Sequence, residues 1–136
     1  MTDFFQAKEA ASQAGIGIET LRFYEKKELI SPHSKTDSGY RLFTEREIHK
    51  LKFIKAAQNS GFKLSEIKEL LTLQSAGGSD CHSVRDQVKD KLEEVQEKIL
   101  ALSQIQNSLE KLLNSCSGED PISDCPILNH FAKEAS

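Results

Sequence analysis

A long seam of apolar residues is the feature that most constrains the fold. Apolar side chains recur in steps of three and four residues from Val84 to Leu112, with one phase slip between Leu102 and Ile105. This spacing is typical of a helix that packs lengthwise against another helix. So long a helix cannot bury its seam against a small head alone, so the pattern favours pairing with a second copy of the chain. A seam folded back on its own domain is the alternative. The seam consists of Val84, Val88, Leu92, Val95, Ile99, Leu102, Ile105, Leu109 and Leu112.

The N-terminal segment has the pattern of a winged helix-turn-helix. A run of helix formers from Gln6 to Ala14 stops at a glycine-containing turn, and a second helix is predicted from about Glu19 to Lys27. Leu21 and Tyr24 are spaced to face inward on that second helix. The polar residues from Asp37 to Arg41 then predict a tight turn between two short strands.

Two more helices are predicted before a break in the chain. Thr44 and Glu47 have the spacing of a capping box, which marks a helix start. The segment from Ser75 to Ser79 is rich in Gly and Ser and predicts the clearest break in the chain. The apolar stripes of the two helices are Ile48, Leu51, Ile54 and Ala57 in the first, and Leu64, Ile67, Leu70 and Leu71 in the second.

Charge and composition narrow the class of protein. Residues 1–63 contain 11 Lys and Arg against 8 Asp and Glu, whereas residues 64–136 contain 7 against 13. A basic front segment in an acidic chain fits local contact with nucleic acid followed by an assembly region. No apolar run approaches the ~18 residues of a membrane helix, and the first residues lack a signal-peptide pattern. An odd number of cysteines suits a reducing compartment. We therefore expect a cytoplasmic protein with no membrane partner.

The three cysteines lie where the seam begins and ends. Cys81 comes three residues before the seam, Cys116 comes four residues after it, and a continuous helix would separate these two thiols by about 50 Å. In an antiparallel pair centred near residues 98–99, however, Cys81 of the partner subunit lies beside Cys116. Gly118 and Pro121 predict a loop that returns Cys125 to the same place. Three thiolates shared between subunits favour thiophilic ions.

Two less specific interpretations of the cysteines stay open. Free cysteines are often ordinary buried residues. A permanent structural zinc site is the other interpretation, and it usually needs four protein ligands. The fourth would have to come from His82, Glu119, Asp120 or Asp124.

Several motifs together resemble the MerR-type transcriptional regulators. Leu21-Arg22-Phe23-Tyr24-Glu25 is a specific signature of that family, and the resemblance extends from about Phe5 to Phe131. The segment from Cys116 to Leu128 is similar to the metal-binding loop of the branch that senses divalent metals, and Cys81 matches the third ligand of that branch. The other matching motifs are Ser38-Gly39-Tyr40-Arg41, Ile54-Lys55-Ala56-Ala57, Gly61-Phe62 and Ile67-Lys68-Glu69-Leu70-Leu71.

The resemblance implies a fold and a mode of action. The expected fold is mainly α. Residues 1–75 are expected to form an N-terminal winged helix-turn-helix domain, and residues 80–115 a dimerisation helix that forms an antiparallel coiled coil. Residues 116–136 are expected to form a metal-binding loop and the C-terminal segment. The implied protein is a homodimer on double-stranded promoter DNA with a near-palindromic operator. It represses without metal, and it activates RNA polymerase at resistance or efflux genes by distorting the promoter when metal binds.

The DNA contacts come partly from this resemblance. Arg22 and Tyr24 map to the recognition helix, and Tyr40 and Arg41 map to the wing, although packing is an equal alternative for Tyr24. Basic side chains near such elements commonly contact phosphates. The complete set of expected DNA contacts is Thr20, Arg22, Tyr24, Lys26, Lys35, Tyr40 and Arg41.

The metal and the function class leave alternatives. The zinc-sensing relatives of this branch carry adjacent cysteines and a loop histidine, whereas here Ser115 precedes Cys116 and the loop has no histidine. We therefore favour Hg²⁺, Pb²⁺ or Cd²⁺ over Zn²⁺. A thiol enzyme would need a Cys-x-x-Cys pair or a cysteine beside a base, so we predict no enzyme. A constitutive coiled-coil dimer with a structural metal is the alternative from another class.

Overall fold

The computed structural model describes residues 3–78 and 80–134. It is mainly helical, with an N-terminal helix-turn-helix and one long helix, which confirms the predicted fold class. The chain divides into an N-terminal unit, residues 1–87, and a C-terminal unit, residues 88–136. In chain order the elements are β1 (Phe5–Gln6), α1 (Ala7–Ala14), α2 (Ile18–Lys26), β2 (Ser34–Lys35), β3 (Arg41–Phe43), α3 (Glu45–Asn59), α4 (Leu64–Ala76), α5 (His82–Ser115), a 3-10 turn (Ile122–Asp124) and α6 (Pro126–Glu134).

The helix-turn-helix consists of α1 and α2. The first helix ends where Gly15 takes a left-handed backbone (φ +74°), a conformation that favours glycine. The Gly15 carbonyl accepts a hydrogen bond from the Lys55 ammonium of α3, which ties the turn to the next helix. The second helix begins and ends one residue earlier than predicted, and Leu21 and Tyr24 face inward as expected.

The wing is a small antiparallel sheet with strand order β1-β3-β2. Lys35 pairs with Arg41 across β2 and β3, and the intervening turn is closed by a hydrogen bond from the Thr36 N–H to the Tyr40 carbonyl (2.8 Å). This confirms the predicted hairpin. Strand β1 was not predicted, because two residues carry no alternating pattern from which a strand can be recognised.

The core of the N-terminal unit lies between the helix-turn-helix and α3. The predicted stripes of α3 and α4 face this core, except that Ala57 and Leu64 are half-buried at its edge and Leu70 is buried outside it. Helix α4 extends to Ala76 and ends at the left-handed Gly77 (φ +67°), so the break starts two residues later than predicted, and Ser79 lies outside the described residues. The largest fully buried side chains are Tyr24, Phe43, Leu21, Leu51, Ile54 and Ile67.

Helix α5 is continuous over 34 residues, which corresponds to about 51 Å. On its flank the Glu94 carboxylate accepts hydrogen bonds from the ammonium groups of Lys91 (2.9 Å) and Lys98 (3.1 Å), which lower the pKa of Glu94 to about 2. No helix among the described residues combines the length and the apolar character needed to cross a membrane.

In the C-terminal unit, α6 returns beside the last turns of α5. Leu109 and Leu112 of α5 line one groove together with His130 and Phe131 of α6. The chain between the two helices turns at Gly118 (φ +84°) and passes through the 3-10 turn before α6 begins. This return brings the two ends of the connecting loop to the same region of α5.

Candidate DNA interface and metal centre

The outward face of α2 carries two of the seven predicted DNA contacts. Arg22 and Lys26 are exposed there, together with Lys27, whereas Thr20 is half-buried. Arg22 and Lys26 are four residues apart and share one face of the helix with the exposed carboxylate of Glu19, so this face carries both charges with an excess of cations. The sequence reasoning did not include Phe23, which stands on the same face with 44% of its surface exposed. Their contact with DNA stays a prediction.

Tyr24 occupies a different position from the other predicted contacts. Only 2% of its surface is exposed, and its hydroxyl donates a hydrogen bond to Oε1 of Gln58 on α3 (2.7 Å). Burial raises the pKa of the Tyr24 phenol above its ordinary value. Of the two roles left open by the sequence, packing is therefore the one that the structure favours.

The wing presents its side chains in two ways. Lys35 and Tyr40 are exposed, and 60% of the Tyr40 surface faces solvent. Arg41 is instead half-buried, and its Nη1 forms an ion pair with the Glu25 carboxylate of α2. An arginine has five N–H donors, so this pair leaves other donors for a phosphate. Glu25 is a second residue that the sequence reasoning missed, because its partner is 16 positions away.

A second polar contact lies at the start of α3. Burial opposes ionisation of Glu47, but hydrogen bonds from the Thr44 hydroxyl and backbone N–H (2.8 Å for the N–H) outweigh it, and nearby His33 adds to them. The pKa of Glu47 is therefore lowered. His33 Nδ1 stands 3.9 Å from Glu47 Oε1. The predicted capping box is thus present, and it fixes the end of β3 to α3.

Two of the cysteines flank the loop of the C-terminal unit. Cys116 follows Ser115, Cys125 precedes Pro126, and Ser115 and Pro126 line one cleft of about 320 Å³. Both thiols are free and half-buried. The Cys125 carbonyl accepts a hydrogen bond from the Asn129 N–H (3.0 Å), so Cys125 is the N-cap residue directly before α6. The loop therefore returns Cys125 toward the end of α5 where Cys116 lies.

Cys81 stands at the other end of α5 and is exposed. Its carbonyl accepts a hydrogen bond from the Arg85 N–H (2.9 Å), so Cys81 is the N-cap residue directly before α5, and the Asp80 carboxylate accepts a hydrogen bond from the His82 N–H (3.1 Å) at the same end. Within residues 3–78 and 80–134 of one chain, no three His, Cys, Asp or Glu side chains come close enough to hold a metal ion together. Free thiols are donors that thiophilic ions favour. The donor chemistry therefore fits such an ion, while the complete ligand set stays a prediction.

The seam of α5 is exposed to solvent from Val84 to Leu109. Exposure is 37% at Val84 and Val95 and rises to 64% at Leu102. The C-terminal seam residue Leu112 is half-buried because it faces α6. An exposed apolar row of this length marks a surface for interaction with another protein chain.

Comparison with known proteins identifies the family. The family described as "MerR HTH family regulatory protein" matches residues 5–74, and the one described as "MerR, DNA binding" matches residues 48–112. The mercuric resistance operon regulatory protein of Bacillus cereus is 34% identical over 130 residues, which cover 96% of this chain and 98% of that protein. The chain belongs to the MerR family.

Solved structures of MerR regulators support the same assignment. The transcription regulator PbrR691 from Ralstonia metallidurans CH34, in complex with lead(II), has a TM-score of 0.86 and 27% identity, covering 93% of this chain and 98% of that one. HiNmlR, a MerR family regulator bound to promoter DNA, has a TM-score of 0.59 and 25% identity, covering 82% and 85%. The predicted family is thus confirmed. MerR proteins are transcriptional regulators, a non-enzymatic family that includes metal-responsive members, so the prediction of no enzyme is confirmed as well.

Proposed function

We propose that this protein is a homodimeric transcription regulator that binds a near-palindromic operator, represses without metal and activates with RNA polymerase when Hg²⁺, Pb²⁺ or Cd²⁺ binds. The metal ligands are Cys116 and Cys125 of one chain and Cys81 of the partner subunit. The predicted domains, residues 1–75, 80–115 and 116–136, divide these tasks into DNA binding, dimerisation and metal binding. The target genes would serve metal resistance or efflux.

The exposed seam of α5 is the observation that carries this proposal. In an antiparallel pair centred between residues 98 and 99, three pairs of seam residues face each other, Val84 faces Leu113 beside the seam, and the same register places Cys116 opposite Cys81 of the partner subunit. The exposed pairs that would face each other are Val84 with Leu113, Val88 with Leu109, Leu92 with Ile105 and Val95 with Leu102.

The proposed class of metal ion follows from the sulfur donor atoms of the three cysteines. Three thiolates suit the low coordination numbers of thiophilic ions, whereas Mg²⁺ and Ca²⁺ require oxygen ligands. Cys116 and Cys125 supply two donors from one loop, and a third donor has to come from elsewhere. The mercuric resistance regulator and the lead-bound PbrR691 are relatives of matching length, which supports the same class of ion here.

The mechanism requires the ion to bind one dimer conformation better than the other. Each site would use both chains, so closing it moves both chains relative to each other. Arg22 and Lys26 of α2 with Lys35, Tyr40 and Arg41 of the wing would hold the DNA. A change in the distance between the two heads would then distort the promoter between its half-sites.

A subunit-mixing experiment tests whether the site is shared. Homodimers of C81S, and homodimers of the double variant C116S/C125S, each lack a complete site. A heterodimer of the two variants regains one complete site only if the ligands come from both chains. We expect tight Hg²⁺ or Pb²⁺ binding in the purified heterodimer, with half the stoichiometry of the native dimer. Absence of binding in a heterodimer of proven composition would contradict the shared site.

A transcription assay tests the response itself. C81S, C116S and C125S should each abolish metal-induced transcription and leave operator binding intact, while S117A in the same loop should keep induction. Retained induction in any one of the three cysteine variants would contradict a three-sulfur sensor.

Two alternative functions predict different results in metal-induction and chelation experiments. A Zn²⁺-responsive regulator of the same family would be induced by zinc at lower concentration than by lead or cadmium, with an added ligand from His82, Glu119, Asp120 or Asp124. A constitutive dimer with a structural metal would melt on chelation. The proposed sensor would stay folded on chelation and would keep binding its operator.

A further inference from the structure

We propose that the cleft between α5 and α6 is a docking site for a low-molecular-weight amino-acid thiol that delivers the metal ion to the cysteines. This inference rests on the proposed metal binding by Cys116 and Cys125. It goes beyond that proposal because it assigns a ligand to residues that do not bind the metal themselves.

The position of the cleft is the first observation. Its volume is about 320 Å³, and its walls include Ser115, which precedes Cys116, and Pro126, which follows Cys125. Small-molecule sites have volumes from about 300 Å³ upward. Of the lining residues only Leu112 belongs to the seam, so pairing of two seams leaves the rest of the lining outside the pair. A small molecule held in the cleft therefore lies beside the two half-buried thiols.

The polar lining of the cleft suits a carboxylate. The Ser115 hydroxyl already donates a hydrogen bond to the Leu112 carbonyl (2.7 Å). The groups left to donate to a ligand are the ammonium of Lys111, the imidazole of His130 and the hydroxyl of Ser108. Lys111 is exposed and takes part in no ion pair with another described residue. No carboxylate is among the described residues that line the cleft.

Carboxylates nevertheless lie around the cleft. Glu119, Asp120 and Asp124 are exposed in the loop before α6, and a further exposed carboxylate, Glu110, is next to Lys111 in the sequence. These charges would repel a ligand that carries only negative charge. An amino-acid thiol carries an ammonium group as well as a carboxylate, so the carboxylate suits Lys111 and the ammonium suits the acidic loop. The distribution of charge therefore favours a zwitterionic ligand over a simple anion.

The chemistry of thiophilic ions gives such a ligand a role. In a reducing compartment these ions are bound to small thiols, which the cysteines have to displace. A cysteine thiolate forms a new metal–sulfur bond, one metal–sulfur bond to the carrier breaks, and the carrier leaves as a thiolate that takes a proton from the solvent. A second cysteine displaces the second carrier in the same way, and no electron is transferred. Holding the carrier in the cleft raises the effective concentration of the ion at the thiolates.

The rate of metal transfer tests the inference. The probes are Hg²⁺ complexed with L-cysteine and Hg²⁺ complexed with 2-mercaptoethanol, which has neither a carboxylate nor an ammonium group. Stopped-flow ultraviolet absorption follows the formation of mercury–cysteine bonds in the reduced native dimer. With the L-cysteine complex we expect the rate to saturate as the concentration of the complex rises, because docking precedes exchange. With the 2-mercaptoethanol complex the rate should rise in proportion to concentration.

Variants and a competitor locate the effect in the cleft. K111A should slow transfer from the L-cysteine complex by about tenfold at low concentration, as the loss of one charge-assisted hydrogen bond predicts. Transfer from the 2-mercaptoethanol complex should not change. K98A removes an exposed cation about 20 Å away on the same helix and should slow neither transfer. S-methyl-L-cysteine has no free thiol, so it should inhibit transfer from the L-cysteine complex alone.

Equilibrium measurements separate this inference from the proposed function. The Hg²⁺ stoichiometry and the thermal unfolding of K111A should match those of the native protein, since Lys111 is exposed. If K111A slows neither transfer or slows both equally, or if the native rate is linear with both complexes, the docking site is refuted while metal binding stands. If the native protein accepts Hg²⁺ from neither complex and binds none at equilibrium, the proposed function itself fails.

Discussion

Arg41 of the wing forms an ion pair with Glu25 of α2, and this contact joins two elements that are expected to touch DNA. The side chains are mostly shielded from solvent, with 25% exposure for Arg41 and 16% for Glu25. The pair therefore fixes the wing relative to the helix-turn-helix. It also holds the guanidinium in place, so the proposed phosphate contact of its remaining donors would need no search through rotamers.

Replacement of Glu25 by Gln should reduce stability. The variant keeps the size of the side chain but removes the charge from a shielded pair, so we expect a loss of about 1–2 kcal/mol in the free energy of unfolding. Denaturant titration measures this loss. E19Q changes an exposed carboxylate on the same helix and should stay within about 0.5 kcal/mol of the native value. A double-mutant cycle with R41M that shows no coupling would contradict a stabilising pair.

Replacement of Tyr24 by Phe should separate packing from DNA contact. The variant loses the hydrogen bond to Gln58, so we expect about 1 kcal/mol of destabilisation. Because the ring itself stays in the core, operator affinity at fixed salt concentration should stay within about threefold of the native value. Y40F, which alters the exposed tyrosine of the wing, should leave stability unchanged. A loss of operator affinity of about tenfold in Y24F would instead assign the Tyr24 hydroxyl to a phosphate.

Features that depend on residues close together in the sequence were predicted, whereas contacts between residues far apart in the sequence were not. Helices α3 and α4 were predicted with their buried stripes, because apolar residues that recur with a period of 3.6 can be recognised within a short stretch of sequence. The wing turn was predicted because Gly39 and its polar neighbours favour a tight turn, and Gly39 indeed has φ +90°. Strand β1 is too short to carry a pattern.

The contacts that organise the candidate site were harder to predict. Glu25 with Arg41 and Tyr24 with Gln58 are separated by 16 and 34 positions, and no local pattern links them. The exposure of Phe23 also escaped prediction, because an aromatic residue inside a helical motif is more often part of the core. The cysteines could be assigned to the two ends of α5, but their pairing depends on a second chain and stays a prediction.

The capping box at Thr44 should make stability depend on pH. The pKa of Glu47 is lowered below its ordinary value of 4.5 in the folded protein, so the folded state binds this proton more weakly than the unfolded state. The contribution of ionised Glu47 to stability is therefore fully present above pH 4.5 and is lost as the pH falls through the pKa of Glu47 in the folded protein. Between about pH 6 and pH 3, E47Q should lose less stability than the native protein. E45Q, which alters an exposed residue of the same first turn, should retain the native pH dependence, and an equal dependence in E47Q would refute the assignment.

A charge placed in the seam should separate the proposed dimer. Leu92 is 55% exposed in the single chain, and in the antiparallel register it would meet Ile105 of the partner subunit. L92D would bury an unpaired carboxylate in an apolar interface, which costs far more than one leucine contact contributes. Analytical ultracentrifugation should therefore find L92D largely monomeric at concentrations where the native protein is a dimer. Leu100 provides the matched control, because it is 62% exposed on the same helix but lies outside the seam. L100D should remain dimeric, so an equal effect of both variants, or of neither, would place the dimer interface elsewhere than the seam.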